Sequence, residues 1–510
     1  MGKECSYGEY IIQAEGNKIV IMAFSDHCMR AAVSSFIRDV QSAYERSTKT
    51  ATLKSSSLSS RLEYDEQLAA LPTFDGGAFR TYYDAGNRTN SNNTQCDQII
   101  IDKASRESFE AYLEKLSAAG YTKSAENTMN TCSFATFMND KYTVNVGFYG
   151  NDNSVRLLIE PNVVAKNPSP FTDAPHTKVT TSQITMIGLE YPDASHSCGY
   201  ITNGICMLIR LEDGRFIIVD GGFNRALHGN NLVNAIREQS KSYTDTPTVA
   251  AWIVTHAHGD HHGTLVGYSS LFKNGGIKVE TMLANFMSEG ERKKAANAHA
   301  DSFGASEGTG ATAILQAGET LGADIYKVHV GQVYHFANLE LEIVYTLESF
   351  APSIPNGLNT VSIVTRMKFI DSETKKETTY LSTGDATGWA MSTLHTMFGS
   401  YIQSDILQIC HHGAGTAGND NGVANAYKTV NASLILWPLG LHEYYVYVDK
   451  PYNRVVFEQS NYVECYFAGS QGDTVTIPLP YVAGETEITV KCIGDCPVSH
   501  DHSQNSAKNP

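Results

Sequence analysis

Hydrophobic and polar positions alternate along the first third of the chain in short segments that predict both strands and helices. Lys18 to Ala23 favours a strand, and Met29 to about Tyr44 has the amphipathic spacing of a helix. A second helix is expected between Ser105, which can cap its first turn, and Gly120, which can end it. Three strand candidates with turn-rich residues between them follow at 134–138, 142–149 and 155–159. We interpret residues 1–165 as an α+β accessory domain that ends in an antiparallel meander.

A polar, proline-rich stretch separates this region from the rest of the chain. Prolines crowd the segment between residues 161 and 175, a composition typical of an inter-domain linker. Beyond it the pattern becomes strand, loop and helix in repeated order, with apolar runs at 205–211, 216–219, 249–254 and 406–410. Such alternation predicts an α/β layered architecture. We therefore expect a linker at 166–181, a second domain at 182–493 and a flexible tail at 494–510.

Length and composition fit two soluble globular domains. A chain of 510 residues exceeds the roughly 250 to 300 residues at which a single core stops growing. A formal net charge of -16 disfavours binding to nucleic acid, which depends on clustered Lys and Arg. We find neither an apolar run of transmembrane length nor a signal-peptide core, so we expect a soluble protein, either cytoplasmic or extracellular. The ten cysteines are too widely scattered to predict a disulfide scaffold.

The densest group of metal-ligating residue types follows the apolar run at 249–254. His256, His258, Asp260 and His261 lie within six consecutive positions. Imidazole and carboxylate are common ligands of catalytic zinc, and a tight loop can direct alternate side chains at two ions. The spacing therefore predicts a metal site at the end of a core strand.

These residues carry a resemblance to a known family. Positions 256–261 resemble the His-x-His-x-Asp-His motif of the metallo-β-lactamase superfamily and match it without a gap. The resemblance implies an αββα sandwich at 182–493 with a binuclear site for two divalent metal ions, zinc being the expected one. It assigns His256 and His258 to the first metal, and Asp260 and His261 to the second.

Further segments resemble motifs of that superfamily in the same order along the chain. Residues 216–222 resemble the early strand that ends in Asp-Gly, which implies that Asp220 braces the metal loop from the second shell. Residues 381–385 resemble the strand-Thr-Gly-Asp motif, which implies that the Asp385 carboxylate bridges both metals. Residues 406–413 resemble the strand-His-His-Gly motif of competence-protein hydrolase domains and teichoic-acid phosphorylcholine esterases.

That last motif implies roles for two neighbouring histidines. His412 is expected to complete the second metal, while His411 contacts substrate or assists proton transfer; the reverse assignment stays open. Together with Asp260 and Asp385, His411 forms the expected catalytic set.

The first metal has no obvious third histidine. Structural roles are the favoured interpretation for His299, His329 and His335, because they fall in a helical, charged stretch or beside a strand. Either Asn285, which follows the apolar run at 279–283, supplies a further ligand, or this metal has fewer protein ligands.

The expected activity is that of a metal-dependent hydrolase. Two metals about 3.5 to 4 Å apart can activate a water and suit in-line displacement at phosphorus, so no serine or cysteine nucleophile is required. We expect phosphodiesterase activity on a small-molecule or glycopolymer-type substrate. A lactonase or β-lactamase, a nuclease, and a glycan-binding or surface-binding protein with an idle site are the alternatives. The accessory domain, in which His and Cys are sparse, is expected to carry no catalytic group.

Two other groups of polar residues have weaker signals. Cys492, Cys496, His500 and His502 have metal-ligand character, but a disulfide or free thiols also account for them. Residues 442–445 follow a strand pattern at 434–439, and they either line the substrate pocket or form a surface loop.

Overall fold

The computed structural model describes most of the chain. The described residues are 5–24, 26–62, 66–84, 96–162, 171–172, 175–287, 289–299, 310–350, 353–458, 463–469, 472–492 and 506–508. Part of the expected linker lies outside them, as do Cys496, His500 and His502. Within these ranges, no helix is both long and apolar enough to cross a membrane.

The N-terminal third consists of antiparallel strands and short helices. Its strands are β1 (Glu9–Glu15), β2 (Lys18–Ala23), β3 (Tyr44–Glu45), β4 (Thr50–Ala51), β5 (Ser60–Leu62), β6 (Ala78–Asp84), β7 (Asp97–Asp102), β8 (Thr122–Met129), β9 (Cys132–Met138), β10 (Tyr142–Tyr149) and β11 (Ser154–Pro161). Its helices are α1 (Asp26–Ala43), α2 (Glu66–Ala69) and α3 (Arg106–Ala118). A three-stranded sheet has the order β2-β1-β5, a six-stranded sheet has the order β6-β7-β11-β10-β9-β8, and β3 pairs with β4. The predicted meander is confirmed as β9, β10 and β11.

Helix α3 begins and ends where the sequence predicted. The Ser105 side chain accepts a hydrogen bond from the Ser108 backbone N–H, and Ser108 Oγ accepts one from the Ser105 backbone N–H. Gly120 follows the helix with a φ of 89°, in the left-handed region that favours glycine. The apolar face of the helix packs on the six-stranded sheet through Phe109, Tyr112 and Leu116. Capping and amphipathic spacing are therefore sufficient to fix this element.

Two larger sheets are built from the strands of the remaining chain. These strands are β12 (Phe171–Thr172), β13 (Gln183–Ile187), β14 (Tyr191–Pro192), β15 (Tyr200–Ile201), β16 (Cys206–Arg210), β17 (Phe216–Asp220), β18 (Thr248–Ile253), β19 (Lys278–Ala284), β20 (Asp324–Lys327), β21 (Val333–Phe336), β22 (Leu339–Tyr345), β23 (Val364–Ile370), β24 (Glu377–Ser382), β25 (Ile406–Gln408), β26 (Leu434–Gly440), β27 (Glu464–Gly469), β28 (Asp473–Pro478), β29 (Thr489–Cys492) and β30 (Ser506–Lys508). The eight-stranded sheet has the order β20-β19-β18-β17-β16-β13-β28-β29. The nine-stranded sheet has the order β12-β21-β22-β23-β24-β25-β26-β27-β30, and β14 pairs with β15 as a separate hairpin.

Helices cover the outer face of each large sheet. They are α4 (Ala226–Ser240), α5 (Gly259–Asn274), α6 (Glu289–Ala298), α7 (Gly310–Leu321), α8 (Leu347–Phe350), α9 (Gly388–Phe398), α10 (Asp420–Val430), α11 (Leu441–Val448) and α12 (Pro451–Arg454). One apolar core contains residues of strands and strand ends from both sheets, as expected for a layer between them. A second core packs α4, α5 and α7 on the eight-stranded sheet, and a third packs α9, α10 and α11 on the nine-stranded sheet. The predicted αββα sandwich, preceded by smaller α+β elements, is confirmed.

Parallel strands bring the loops of interest to one edge of each sheet. Strands β17 to β20 run parallel in one sheet, and β24 to β27 run parallel in the other. The carboxyl ends of parallel strands meet at the same edge, where ligands of α/β sheets commonly bind. Residues 255–258 follow β18, residues 383–385 follow β24 and residues 410–413 follow β25. These three loops therefore lie at the carboxyl ends of central strands.

A buried ion-pair network, the seam network, joins the six-stranded sheet to the layered part of the chain. It consists of Glu160, Lys327, His329 and Glu348. His329 Nε2 lies 2.8 Å from Glu160 Oε1, and His329 Nδ1 lies 2.8 Å from Glu348 Oε1. Lys327 Nζ donates to Glu160 Oε2 at 2.9 Å. Although burial lowers the pKa of His329, the two carboxylates raise that pKa to about 9. The ring is therefore a cation held between two anions.

Candidate metal centre

The first ligand group lies between a buried strand and the first turn of a helix. Strand β18 pairs with parallel neighbours on both sides and ends at Ile253. Helix α5 begins at Gly259, so His256 and His258 lie in the connecting loop and His261 in the first helical turn. Asp260 also lies in that turn, where a carboxylate interacts favourably with the helix dipole. Strand and helix together fix four candidate ligands over six residues.

Asp220 holds this loop in place from the end of the neighbouring strand β17. Its Oδ1 accepts a hydrogen bond from the Thr255 backbone N–H at 2.9 Å, and its Oδ2 accepts one from Thr255 Oγ1 at 2.8 Å. The same Oδ2 lies 2.8 Å from His261 Nδ1. This contact turns Nε2 of the ring towards the other candidate ligands. Burial lowers the pKa of His261, but the carboxylates of Asp385, Asp260 and Asp220 raise it well above its usual range, so a metal ion would replace the proton on Nε2. Asp220 adopts a φ of 58°, an uncommon backbone conformation of the kind found at functional sites.

Four ligand atoms from three loops converge in what we call the Asp260 cluster. Its members are Asp260, His261, Asp385 and His412, whose ligand atoms all lie within 4.8 Å of one another. His261 Nε2 is 3.1 Å from Asp385 Oδ2, and His412 Nε2 is 3.2 Å from Asp385 Oδ1. Asp260 Oδ2 lies 3.7 Å from His261 Nε2 and 3.6 Å from His412 Nε2. The structure thus brings together all four residues assigned from sequence to the second metal or the bridge.

A second group, the His256 cluster, shares Asp385 with the first. It contains His256, His258 and Asp385. His256 Nε2 lies 2.8 Å from His258 Nδ1 and 3.8 Å from Asp385 Oδ2. Burial is the largest cause that holds the pKa of His256 well below its usual range, so this imidazole is neutral and retains a lone pair. The shared carboxylate is the geometric feature that a bridging ligand requires.

The ligand atoms of the Asp260 cluster have the spacing and the chemistry of a metal site. His261 Nε2, Asp385 Oδ1 and His412 Nε2 are buried and have no hydrogen-bond partner, despite their short separations. Buried polar atoms without partners are rare and costly in proteins. Ligands at about 2.0 to 2.2 Å from a tetrahedral ion are about 3.3 to 3.6 Å apart, close to the separations in the Asp260 cluster. The donor set of imidazoles and carboxylates is one that zinc accepts.

The charges of the site favour cations. Although burial raises the pKa of Asp385, the imidazoles of His261 and His412 hold that pKa well below its usual range. Burial acts in the same direction on Asp260, and His261 and His412 again lower its pKa. Both carboxylates are therefore anionic at neutral pH, which attracts divalent ions to the site.

His412 and His411 occupy different positions in the turn after β25. Both residues have positive φ values, 52° and 48° respectively. His412 Nδ1 donates to Pro438 O at 2.9 Å, which leaves Nε2 in the Asp260 cluster. His411 Nδ1 donates to Gly415 O at 3.0 Å. Of the two histidines, the structure brings His412 into the cluster.

His411 lies beside the cluster as a neutral imidazole. Burial is the largest cause that lowers its pKa. Its Nε2 lies 2.9 Å from Asn359 Nδ2 and accepts that hydrogen bond, because Nδ1 already carries the proton. The ring centroids of His411 and His412 are 6.2 Å apart. The position of His411 suits a group that contacts substrate.

Asn285 and the three remaining histidine candidates occupy other surroundings. Asn285 Nδ2 donates to Val328 O and to Glu348 Oε2, both at 2.8 Å, which ties this residue to the seam network. His329 belongs to that network, His335 lies in β21, and His299 follows α6. Among the described residues, no further histidine, cysteine or acidic residue joins His256, His258 and Asp385 in the His256 cluster.

Two asparagines at the site were missed by sequence reasoning. Asn203 Nδ2 donates to Asp260 Oδ2 at 2.6 Å and so orients this carboxylate. Asn359 donates to His411, as described above. Asn203-Gly204 is recognisable as a turn signal, but only the tertiary structure places this turn against Asp260. A surface loop was one of the two interpretations left open for residues 442–445. The structure instead places them in helix α11.

Comparison with known proteins gives structural similarity but no sequence family. No protein-family model and no curated protein matches the chain. The metallo-beta-lactamase fold protein YhfI from Bacillus subtilis is 12% identical, with a TM-score of 0.28, over 50% of this chain and 85% of that one. The class B3 di-zinc metallo-beta-lactamase LRA-12 from an Alaskan soil metagenome is 18% identical, with a TM-score of 0.22, over 43% and 65%. Yeast PDE1 is 12% identical, with a TM-score of 0.33, over 58% and 99%. These similarities are too low to assign a function, so the proposal below rests on the residues of the site.

Proposed function

We propose that this chain is a metal-dependent hydrolase with two divalent ions, most simply zinc, at the carboxyl edges of the two large sheets. The observation that carries the proposal is the set of buried ligand atoms without partners around Asp385, which belongs to both clusters. In this proposal His256 and His258 hold the first ion, while Asp260, His261 and His412 hold the second. Asp385, which belongs to both clusters, would be a ligand to both ions.

Each protein group has a separate task in this proposal. Bound divalent ions supply acidification of water and polarisation of the substrate. Asp220 fixes the tautomer of His261, and Pro438 O does the same for His412. Asn203 donates a hydrogen bond to one oxygen of Asp260 and so orients the carboxylate. In this position Asp260 could accept the proton of the attacking water or return it to the leaving oxygen. His411 contacts the substrate beside the ions.

We further propose a phosphodiester as the substrate, in the branch that has the strand-His-His-Gly motif. The position of His412 in the Asp260 cluster supports this branch, because the motif supplies the ligand from the turn after β25. In-line displacement at phosphorus needs stabilisation of an attacking and a leaving oxygen, which two ions provide. The net charge of -16 favours a small or glycopolymer-type substrate over a nucleic acid.

Catalysis belongs, in this proposal, to residues 182–493, and residues 1–165 act in support. The ion pairs of Glu160 in β11 with His329 and Lys327 attach the N-terminal third to the layered part of the chain. This attachment supports a structural role for residues 1–165. Neither cluster around Asp385 contains a residue from the N-terminal third.

The test combines metal analysis with a substrate panel. Purified full-length protein is analysed for bound metal, then assayed with bis(4-nitrophenyl) phosphate, a chromogenic β-lactam, a lactone, a thioester and single-stranded DNA. We expect phosphodiester hydrolysis that a chelator abolishes and added zinc restores. The Asp385→Asn protein, purified identically, controls for contaminating hydrolases. Protein that binds no metal refutes the centre, whereas faster turnover of another substrate class refutes only the phosphodiester assignment.

A further inference from the structure

A third group of metal-ligating side chains lies next to the candidate centre and is not used by it. The hairpin of β14 and β15 carries His196 and Cys198 in its turn, and the first turn of α11 carries Glu443. His196 Nδ1, Cys198 Sγ and a Glu443 carboxylate oxygen lie within 4.8 Å of one another. We call this group the hairpin cluster.

The geometry of the hairpin cluster is that of ligands around one point. His196 Nδ1 lies 3.3 Å from Cys198 Sγ and 3.8 Å from Glu443 Oε1. The sulfur contact is a hydrogen bond in the metal-free protein, and the Glu443 oxygen approaches the same ring nitrogen from a longer distance. With zinc–sulfur near 2.3 Å and zinc–nitrogen or zinc–oxygen near 2.0 to 2.2 Å, tetrahedral ligands are about 3.4 to 3.6 Å apart. The two separations fall on either side of that range.

Hydrogen bonds to neighbouring residues orient the Glu443 carboxylate and the turn that carries His196 and Cys198. Glu443 Oε2 accepts a hydrogen bond from Thr202 Oγ1 at 2.6 Å, which leaves Oε1 directed at His196. The turn is closed by hydrogen bonds from the His196 backbone N–H to Asp193 O and from the Gly199 backbone N–H to His196 O. His196 and Glu443 have side-chain exposures of 33% and 17%, so an ion can reach them from solvent.

A similar group elsewhere in the chain shows what distinguishes the hairpin cluster. Cys96, Glu160 and His329 also bring cysteine, carboxylate and imidazole atoms within 4.8 Å of one another. Both ring nitrogens of His329, however, are bonded to carboxylates at 2.8 Å, so neither nitrogen is directed at an open coordination position. In the hairpin cluster, no carboxylate bonds the imidazole at hydrogen-bond distance.

We propose that His196, Cys198 and Glu443 form a separate binding site for a divalent ion of the zinc type. Binding forms one bond from the ion to each of His196 Nδ1, Cys198 Sγ and Glu443 Oε1. The Cys198 thiol releases its proton to solvent, and its hydrogen bond to Tyr200 O is lost as the sulfur–metal bond forms. His196 exchanges its Nδ1 proton for one on Nε2 through solvent, so the hydrogen bond to the sulfur is replaced by a nitrogen–metal bond. The fourth position of the ion is open to water or to a group of the substrate.

The consequence of such an ion is a cross-link at the border of the candidate centre. It would join the hairpin to α11, because two ligands come from the turn and one from the helix. Of the residues next to the hairpin, Asn203 donates to the candidate ligand Asp260, and Thr202 O accepts a hydrogen bond from the Gly440 backbone N–H at the end of β26. The site does not depend on the proposed hydrolytic activity.

Cobalt substitution tests the site because it detects a cysteine ligand. None of the ligands proposed around Asp385 is a cysteine, so the part of a near-ultraviolet thiolate-to-cobalt charge-transfer band that is lost in Cys198→Ala reports on the hairpin cluster. Metal-free full-length protein is titrated with Co²⁺, and zinc is counted separately by mass spectrometry. We expect the band in wild type at stoichiometric cobalt, and one more zinc ion per chain in wild type than in Cys198→Ala. Glu443→Gln, which can still accept the bond from Thr202, should bind this ion at least tenfold more weakly.

Two control variants make the outcome decisive. Cys96→Ala removes the cysteine of the similar but protonated group, and it should leave both the band and the zinc count unchanged. Asp385→Asn should keep the band even where the ions of the main centre are lost, so failure of one site is separable from failure of the other. A wild-type protein without the band, or with the same band and zinc count in Cys198→Ala, overturns the proposal. Circular dichroism of each variant verifies that it is folded.

Discussion

The seam network and the Asp260 cluster are both buried groups of imidazoles and carboxylates, yet their hydrogen bonds differ. In the seam network, each nitrogen of His329 faces a carboxylate at 2.8 Å, and Lys327 bonds the remaining oxygen of Glu160. In the Asp260 cluster, His261 uses one nitrogen for Asp220 and leaves the other without a partner. His412 does the same with Pro438 O.

The difference teaches that residue types do not identify a metal site, whereas unpaired ligand atoms do. A buried ion pair that satisfies all of its donors and acceptors holds a protein together and leaves no coordination position. In the Asp260 cluster, each imidazole has one nitrogen bonded outside the cluster and the other directed at the shared carboxylates, where a metal ion can replace a proton. The hairpin cluster differs from Cys96, Glu160 and His329 in another way, because its imidazole has no carboxylate at hydrogen-bond distance.

The largest effect is expected from removing the shared charge in the Asp260 cluster. Asp385→Asn keeps the shape of the side chain but loses the anion that offsets repulsion between two dications. We expect loss of at least one metal and a fall in kcat on the order of a thousandfold, because metal ions contribute several kcal/mol to transition-state stabilisation. Metal analysis and steady-state kinetics measure this. An Asp385→Asn protein with two metals and wild-type turnover would contradict the bridging role.

The seam network should respond in stability instead of in metal content. His329→Gln leaves Glu160 and Glu348 buried without their shared cation, so we expect the free energy of unfolding to fall by about 3 to 5 kcal/mol. Denaturant unfolding measures this change, and the metal content should stay at the wild-type value. The exposed pair of Lys123 and Glu126 gives a control, since Lys123→Gln should cost less than about 1 kcal/mol. Loss of metal in a folded His329→Gln protein would mean that the two clusters are not independent.

Local signals made part of this comparison predictable from the sequence. Helix α3 follows from its cap and its apolar face, and residues 256–261 are recognisable because their spacing is contained in one loop. The α/β layers follow from the alternation of strand, loop and helix, and their αββα order was implied by the resemblance that residues 256–261 carry. In all these cases, the deciding residues are neighbours along the chain.

Partners that are distant in sequence could not be predicted. His329 and Glu160 are 169 positions apart, and Asn203 and Asp260 are 57 apart. Glu443 meets Thr202 across 241 positions. Which carboxylate neutralises a buried histidine depends on sheet packing, and no local pattern encodes it. The choice between His411 and His412 depends likewise on the positive φ of this turn.

A smaller effect on turnover should follow from His411, which lies beside the Asp260 cluster. His411→Ala removes an imidazole whose Nε2 accepts from Asn359, and no proposed ligand is lost. We expect kcat to fall about a hundredfold, the lower end of the range for a group that assists proton transfer. Metal content should be unchanged, and Asn359→Ala should produce a smaller loss because the imidazole is retained. Equal losses for His411→Ala and Asp385→Asn would refute the distinction between supporting group and ligand.

The pH dependence of the seam network gives the smallest predicted effect. The pKa of His329 is raised to about 9, whereas an unfolded histidine titrates near 6.5. The raised pKa means that the folded state binds the proton more tightly, so the stabilisation is fully present below about pH 6.5 and is lost as the pH rises through about 9.

We expect the stability difference between wild type and His329→Gln to shrink by about 2 kcal/mol between about pH 6 and about pH 8. Taking this difference cancels the titration of groups common to both proteins. Denaturant unfolding gives the free energy of unfolding of both proteins at both pH values. The measurements use metal-free protein, because pH-dependent metal binding would otherwise contribute to the difference. A difference that is constant or grows with pH would show that His329 is neutral in the folded state. The ion pairs that define the seam network would then be absent, and the contrast between the two clusters would be wrong.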